Sequence, residues 1–480
     1  MHPPSPQQTD ILNALADTND NLSVRALAGT GKTTTIEMCQ PIQAGLNVAF
    51  NRVVRETFIK RMPHATNHTF NSLGHDIITK ALGKRLKFDA DKIKGIRDDL
   101  KIRWKDCPDL FRILDLARGS GFGFNEHRLA DATDLGLWQE IIDDYELETG
   151  PGFKLEVLPE ILRKDYHLAA QGHIDYGDQL WYPVVANLSL GLPPGIVYVD
   201  EAQDVNGIQM NLIKRYARRS RIVLVGDPHQ AIYGFRGSVN ESMGILESAL
   251  GAKDFPLSVT YRCPKSVVRL AQSAVPEYTF ADEAPEGEVL RLGKKWTPKD
   301  IESGSVILCR NNAPIIQLAL TMIAQGIPAS VRGRDIGKSL ITLAKKIAAE
   351  YHPRNREQFE RALDVWRANQ LSSGKKSEGS VNERADALLA LLSGCSPSAG
   401  VEEITRKAER LFTDKEAPIL LSTIHKAKGL EWPTVYFLNE WMIPSHFAKT
   451  EEALRQESNI WYVGVTRTMN KLVFIETGKA

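Results

Sequence analysis

The sequence predicts an α/β chain with two parallel-sheet domains, each interrupted by a mostly helical insertion. Three observations carry that expectation. An apolar run, Leu22-Ser23-Val24-Arg25-Ala26, leads into a glycine turn and a helix-compatible segment from Thr33 to Cys39. Apolar runs of strand length recur at 196–199 and 221–225, and again at 306–309, 419–422, 435–438 and 472–475. Such uninterrupted runs are what strands covered on both faces require. Two stretches of polar, helix-patterned sequence separate them. The predicted division is 1–72 with 173–256 for the first domain and 73–172 for its insertion. It continues with 257–335 and 416–480 for the second domain and 336–415 for its insertion.

Composition narrows the class. A chain of 480 residues is long enough to bury two or more cores. Its formal charge is +1, so any surface for nucleic acid has to be local rather than a global basic field. Five cysteines (39, 107, 263, 309, 395) lack C-x-x-C spacing, which argues against zinc or a disulfide framework and fits a reducing compartment. No apolar run approaches the roughly 18 residues of a membrane span. A soluble intracellular protein is expected: cytoplasmic, and nucleoid-associated or nuclear according to the host cell.

In chain order, Pro3-Pro4-Ser5-Pro6 reads as extended and Gln7-Gln8-Thr9-Asp10-Ile11-Leu12 opens a helix. An amide can pair with the N6/N7 edge of adenine, so Gln8 is either an adenine reader or a polar helix start. The stretch Ala26-Leu27-Ala28-Gly29-Thr30-Gly31-Lys32-Thr33 follows a strand and opens a helix, the order a phosphate-binding loop needs. Small residues let backbone N–H groups close round a polyphosphate, and the helix N-terminus adds positive partial charge. Lys32 is placed for the β- and γ-phosphates and Thr33 for Mg²⁺. Alone, this loop indicates a nucleoside triphosphate and nothing more.

Asn47-Val48-Ala49-Phe50 reads as a second strand, and Ala65 to Ser72 as a third. Their carboxyl ends face the ligand crevice of an open α/β sheet, although Phe50 and Phe70 read equally as core. Within the insertion, Lys84, Arg85, Lys87, Lys92, Lys94 and Arg97 lie among Asp89, Asp91, Asp98 and Asp99, which favours a solvated helix face over a nucleic-acid patch. Ile196-Val197-Tyr198-Val199 then delivers Asp200 and Glu201 to a sheet edge. Asp200 suits Mg²⁺ through water, and Glu201 suits the attacking water. The next strand ends in Gly226 to Gly237, where Gln230 is placed to sense a γ-phosphate. Tyr233 and Phe235 beside Arg236 suit unpaired bases and a phosphate.

The second half holds Tyr261-Arg262, Thr423 to Trp432 and Trp461 to Thr468. Arg262 and Arg467 are the candidates for stabilising charge on a transferring phosphoryl group. Leu371 to Ser380 reads as a flexible connector.

Taken together, these motifs resemble the UvrD/Rep-type helicases of superfamily 1, over both sheets and in the same order. The resemblance implies two RecA-like motor domains, an ATP- and Mg²⁺-dependent enzyme, and single-stranded DNA or single/double-strand junctions as partner. It implies that Ala28, Gly29, Thr30, Gly31, Lys32, Thr33 and Thr34 hold the phosphates, that Gln8 reads adenine with Tyr261 stacked on it, and that Glu431 holds the ribose. Arg262 and Arg467 become the phosphate arginines. Thr69, Phe70, Tyr233, Phe235, Arg236, Arg310, Asn311 and His425 are to lie along the strand. The forms of Ile232 to Gly237 and His425 to Glu431 resemble the 3′-to-5′ branch. A monomer is expected, with replication, repair or recombination proteins as possible company. Phe50-Asn51-Arg52 is closer to F-box-type helicases. The second insertion, about 80 residues, is shorter than in larger relatives, and the chain stops soon after Arg467, before the place of the family's strand-separating hairpin. Two alternatives stay open: a translocase that strips proteins from single strands, and an ATP-gated binding module.

Overall fold

A computed structural model describes residues 3–145, 147–232, 241–372, 378–412 and 417–478. The chain forms two compact units. One comprises residues 1–27 and 31–257, the other residues 28–30 and 258–480.

The first unit is built on six strands: β1 (Leu22–Ala26), β2 (Leu46–Ala49), β3 (Thr66–Thr69), β4 (Ile196–Val199), β5 (Arg221–Gly226) and β6 (Lys253–Leu257). All pairings are parallel and the order is β6-β1-β5-β4-β2-β3. Side chains alternate across the sheet, so each central strand feeds two cores. Val197, Val199, Ile222 and Leu224 join one cluster, while Ile196, Tyr198, Val223 and Val225 join the other. Each such side chain contributes roughly 1.5–3 kcal/mol by leaving water, which is why the runs contain almost no polar residue. The second cluster is closed by helices Pro6–Asp17 and Lys32–Cys39 through Ile11, Leu15 and Ile36.

The insertion does not form a core of its own. Its helices Leu110–Gly119, Leu135–Asp144 and Val157–Ala170 share the first cluster with the sheet. Two departures from the sequence reading occur here. The third strand stops at Thr69, because Thr69 and Ser72 form a capping box that starts helix Phe70–Leu82. Leu257, read as the start of the second half, is the last residue of β6 and pairs with Ala26.

The second unit holds β7 (Glu288–Gly293), β8 (Val306–Cys309), β9 (Ala329–Val331), β10 (Ile419–Thr423), β11 (Trp432–Leu438) and β12 (Thr468–Ile475). They too are all parallel, in the order β7-β12-β11-β8-β10-β9. Helices Arg334–Tyr351, Arg356–Ser372, Glu378–Ser393 and Val401–Leu411 fill the second insertion and share the core over β8 and β10. All five cysteines are free and buried.

Candidate active site

The loop after β1 departs from extended geometry at two glycines. Gly29 has φ +72° and Gly31 φ +90°, a region that favours glycine. A Cβ on Gly29 would stand 2.5 Å from Arg262 Cβ and 2.6 Å from Thr260 Oγ1, so strain and contact both exclude a side chain. Gly31 is the N-cap of helix Lys32–Cys39 and offers no side chain to its first turn. The amide hydrogens there point out of the helix end, where an anion is best received.

Facing Lys32 within the first unit are the ends of β4 and β5. The Lys32 ammonium lies 3.1 Å from both carboxylate oxygens of Glu201. Burial alone would lower its pKa, but Glu201, Asp227 and Asp200 together raise it, so it is fully charged. Asp200 follows β4, held by its N–H donating to Val48 O at 3.0 Å. Burial and then the charge of Glu201 push its carboxyl up to about 7, and its Oδ1 is buried with no hydrogen-bond partner. Glu201 itself has φ +51°, costly for a non-glycine residue and a mark of a constrained site.

Gln203 ties the two strand ends together. Its amide nitrogen donates to Glu201, and its oxygen accepts from Asp227 N at 3.0 Å. Asp227 is fully buried, its pKa raised by that burial, and it accepts from Gln230 Nε2 at 2.6 Å. Gln203 and Asp227 are site residues that sequence reasoning left unassigned. The signal was present, since both lie inside motifs at strand ends.

Residues 28–30 belong to the second unit, together with the arginines. The backbone of Ala28 is bracketed by two phenols: its N–H donates to Tyr462 Oη at 3.0 Å, and its carbonyl accepts from Tyr278 Oη at 2.8 Å. Tyr261 is 61% exposed, and its N–H donates to Gly29 O at 2.9 Å. Arg262 forms an ion pair with Glu431 at 2.5 Å and reaches Thr466 O at 3.4 Å. Arg467 is 1% exposed and donates to Val463 O (2.9 Å), Leu430 O (3.2 Å) and Thr466 Oγ1 (3.1 Å). Burial and then the neighbouring Arg262 push it down to about 10, so it keeps its charge at neutral pH. Tyr278 and Tyr462 are further residues that the motifs did not single out as binding groups.

The other candidates divide. Gln8 completes a capping box with Ser5 and donates to Thr35 Oγ1 at 3.0 Å, so its amide anchors the loop helix to the N-terminal helix. Thr30 is buried, Thr33 half-buried, and Thr34 Oγ1 accepts from Arg61 at 3.1 Å. Thr69 caps helix Phe70–Leu82. Phe70 is a correction: at 2% exposure its ring is part of the core and cannot stack on a base. Arg310 is also committed elsewhere, holding buried Glu457 through Nη2–Oε1 at 2.7 Å and Nε–Oε2 at 3.2 Å. Asn311 is the N-cap of helix Asn312–Ala324, and His425 lies on the short helix Ile424–Ala427. Tyr233, Phe235 and Arg236 fall outside the described residues.

Two parallel sheets, one with a phosphate loop, lysine and paired carboxylates and the other with two buried or half-buried arginines, define an α/β protein with two RecA-like domains. Within that class the chain is similar to the UvrD/Rep-like helicases of superfamily 1. Residues 195–249 match the UvrD/REP helicase N-terminal domain and residues 353–479 the UvrD-like helicase C-terminal domain. F-box DNA helicase protein 1 of Schizosaccharomyces pombe is 24% identical over 98% of this chain and 57% of its own length. F-box DNA helicase 1 of Gallus gallus is 21% identical over 98% of this chain and 49% of its own. The chain thus spans about half the length of those two relatives. Gabija protein GajB of Bacillus cereus is 22% identical over 96% of the chain and 93% of its own length. Among the described residues no helix is long and apolar enough to cross a membrane.

Proposed function

We propose that this chain is an ATP-driven motor that moves 3′ to 5′ along single-stranded DNA and opens duplex ahead of it. The observation that carries the reading is the convergence of Lys32, Asp200, Glu201, Asp227 and Gln230 where β1, β4 and β5 end. Backbone amides from Ala28 to Thr34 receive the phosphates, and Lys32 exchanges Glu201 for the β- and γ-phosphates. Thr33 and Asp200 would hold Mg²⁺; the orphaned Asp200 Oδ1 is an oxygen suited to such an ion. When bound, Mg²⁺ neutralises phosphate charge. Glu201, released by Lys32, takes the proton of the attacking water, and Gln230 reads the γ-phosphate.

Arg262 and Arg467 stabilise charge on the transferring phosphoryl group. Glu431, once Arg262 turns to phosphate, is free for the ribose, and exposed Tyr261 stacks on adenine. Thr69 and His425 contact the strand. The names of the F-box DNA helicases support DNA as the substrate class. Unwinding of blunt, 3′-tailed and 5′-tailed duplexes with Mg·ATP tests this. The 3′-tailed duplex alone should open; opening of the 5′-tailed duplex alone would reverse the assigned direction.

A further inference from the structure

The strand ends opposite the phosphate site carry a cavity of their own, of about 380 Å³. Among its lining residues, Leu46 opens β2, Thr66 opens β3 and Gly195 immediately precedes β4. Asp200 and Glu201 follow the other end of β4, so the cavity lies at the edge of the first sheet away from the candidate active site. Its floor is apolar, with Leu46, Leu73 and Ile77 all buried. One wall is the run from Leu190 to Gly195, where Leu192 is 96% exposed beside Pro193 and Pro194. That volume is near the lower end of the roughly 300–1,000 Å³ of ligand pockets, room for a few side chains and too small for a folded surface.

The wall is fixed in place. On helix Gly207–Tyr216, Arg215 donates from Nη1 to Pro183 O (2.7 Å) and from Nη2 to Leu188 O (2.5 Å). Arg221 N donates to Gly195 O at 3.0 Å, so the run is tied at both ends. Charge around the cavity is one-sided. The stretches 44–46, 64–80, 190–195 and 214–219 hold Lys80, Lys214, Arg215, Arg218 and Arg219 against a single acid, Asp76. Arg215 is committed to the carbonyls, and Arg218 is near enough that its charge adds to burial in lowering the Arg215 pKa. Lys80, Lys214, Arg218 and Arg219 are exposed and stand in no ion pair among the described residues. Asp76 faces His68, whose Nε2 is 3.7 Å from Asp76 Oδ2. Burial outweighs that carboxylate and holds the imidazole below its ordinary pKa, so His68 is neutral at pH 7 and adds no charge.

We propose that this cavity docks an extended acidic segment of a partner protein, with one bulky apolar side chain seated on Leu46, Leu73 and Ile77 and flanking carboxylates on Lys80, Arg218 and Arg219. The inference goes beyond the motor reading and uses none of the residues assigned to ATP or the strand. Apolar contact supplies the hold, while the exposed cations select the partner and steer its approach. A nucleic-acid strand is a poorer match. Bases need an open ring to stack on, and the cavity has no Phe or Trp, while its one tyrosine, Tyr216, is 5% exposed.

Selection of short random displayed peptides on the full chain tests the site, the recovered peptides being labelled and titrated by fluorescence anisotropy. They should carry net negative charge and at least one Leu, Ile, Phe or Trp, and replacing that residue by Ala should abolish binding. Leu192→Asp, and separately Lys80→Glu with Arg219→Glu, change exposed positions only. Each should weaken peptide binding roughly tenfold or more, and affinity for the native chain should fall as NaCl rises. ATP turnover without peptide should be unchanged in both variants. Peptides that bind both variants as tightly as the native chain, or a selection that recovers no peptide, overturns the proposal. Loss of oligo-dT binding in step with peptide binding would assign the rim to nucleic acid and overturn it as well.

Discussion

Arg310 and Lys32 are both cations at sheet ends, and the difference between them is the partner each has. Lys32 faces the carboxylates of Glu201, Asp227 and Asp200, and in the proposed function it passes from Glu201 to a phosphate. Arg310 instead neutralises Glu457, which is 5% exposed and also accepts from Ser445 N at 3.0 Å. Removing one member of such a pair leaves an uncompensated buried charge. Arg310→Ala should therefore cost roughly 3 kcal/mol in chemical denaturation while leaving the salt slope of strand binding intact. A lower slope with unchanged stability would restore Arg310 to the strand. At this scale the sequence was readable where chemistry is tied to a motif, as for Lys32, Asp200 and Glu201. It was not readable where a side chain's partner comes from far along the chain. Glu457 lies 147 positions from Arg310, and nothing local announces it.

Among the elements, the central strands were legible and three of the four sheet edges were not. β1, β4, β5, β8, β10 and β11 are buried on both sides, and burial writes itself as an apolar run. The strands missed, β6, β7 and β9, are all sheet edges. An edge strand pairs on one side only and tolerates charge and proline, so Lys253-Asp254-Phe255-Pro256-Leu257 carries no strand-like run. The insertion's buried ion network was equally hidden, since Lys92, Arg118, Asp165, Asp175 and Asp178 come from five places in the sequence. Three carboxylates there face two cations. Burial first, then the charge of Asp165, pushes Asp178 up to about 8. The folded state thus holds a proton that the unfolded chain releases near pH 4, and this contribution to stability falls as pH rises towards 8. Melting temperature should decline between pH 6 and pH 9, and Asp178→Asn should flatten the decline. A steeper decline in the variant would contradict that assignment.

For the whole molecule, each of two six-stranded parallel sheets carries its own set of polar groups. The first supplies lysine, carboxylates and Gln230; the second supplies arginines, Glu431 and the two phenols that hold Ala28. The phosphate loop is divided between the two units, with residues 28–30 counted with the arginines and Gly31 onward with the carboxylates. The proposed function makes ATP turnover depend on a bound strand. ATP turnover measured with and without oligo-dT, in the native chain and in Lys32→Ala and Glu201→Gln, tests this most directly. The account predicts strand-stimulated turnover in the native chain, lost in both variants, with Glu201→Gln still binding ATP. Native turnover in Glu201→Gln would contradict it.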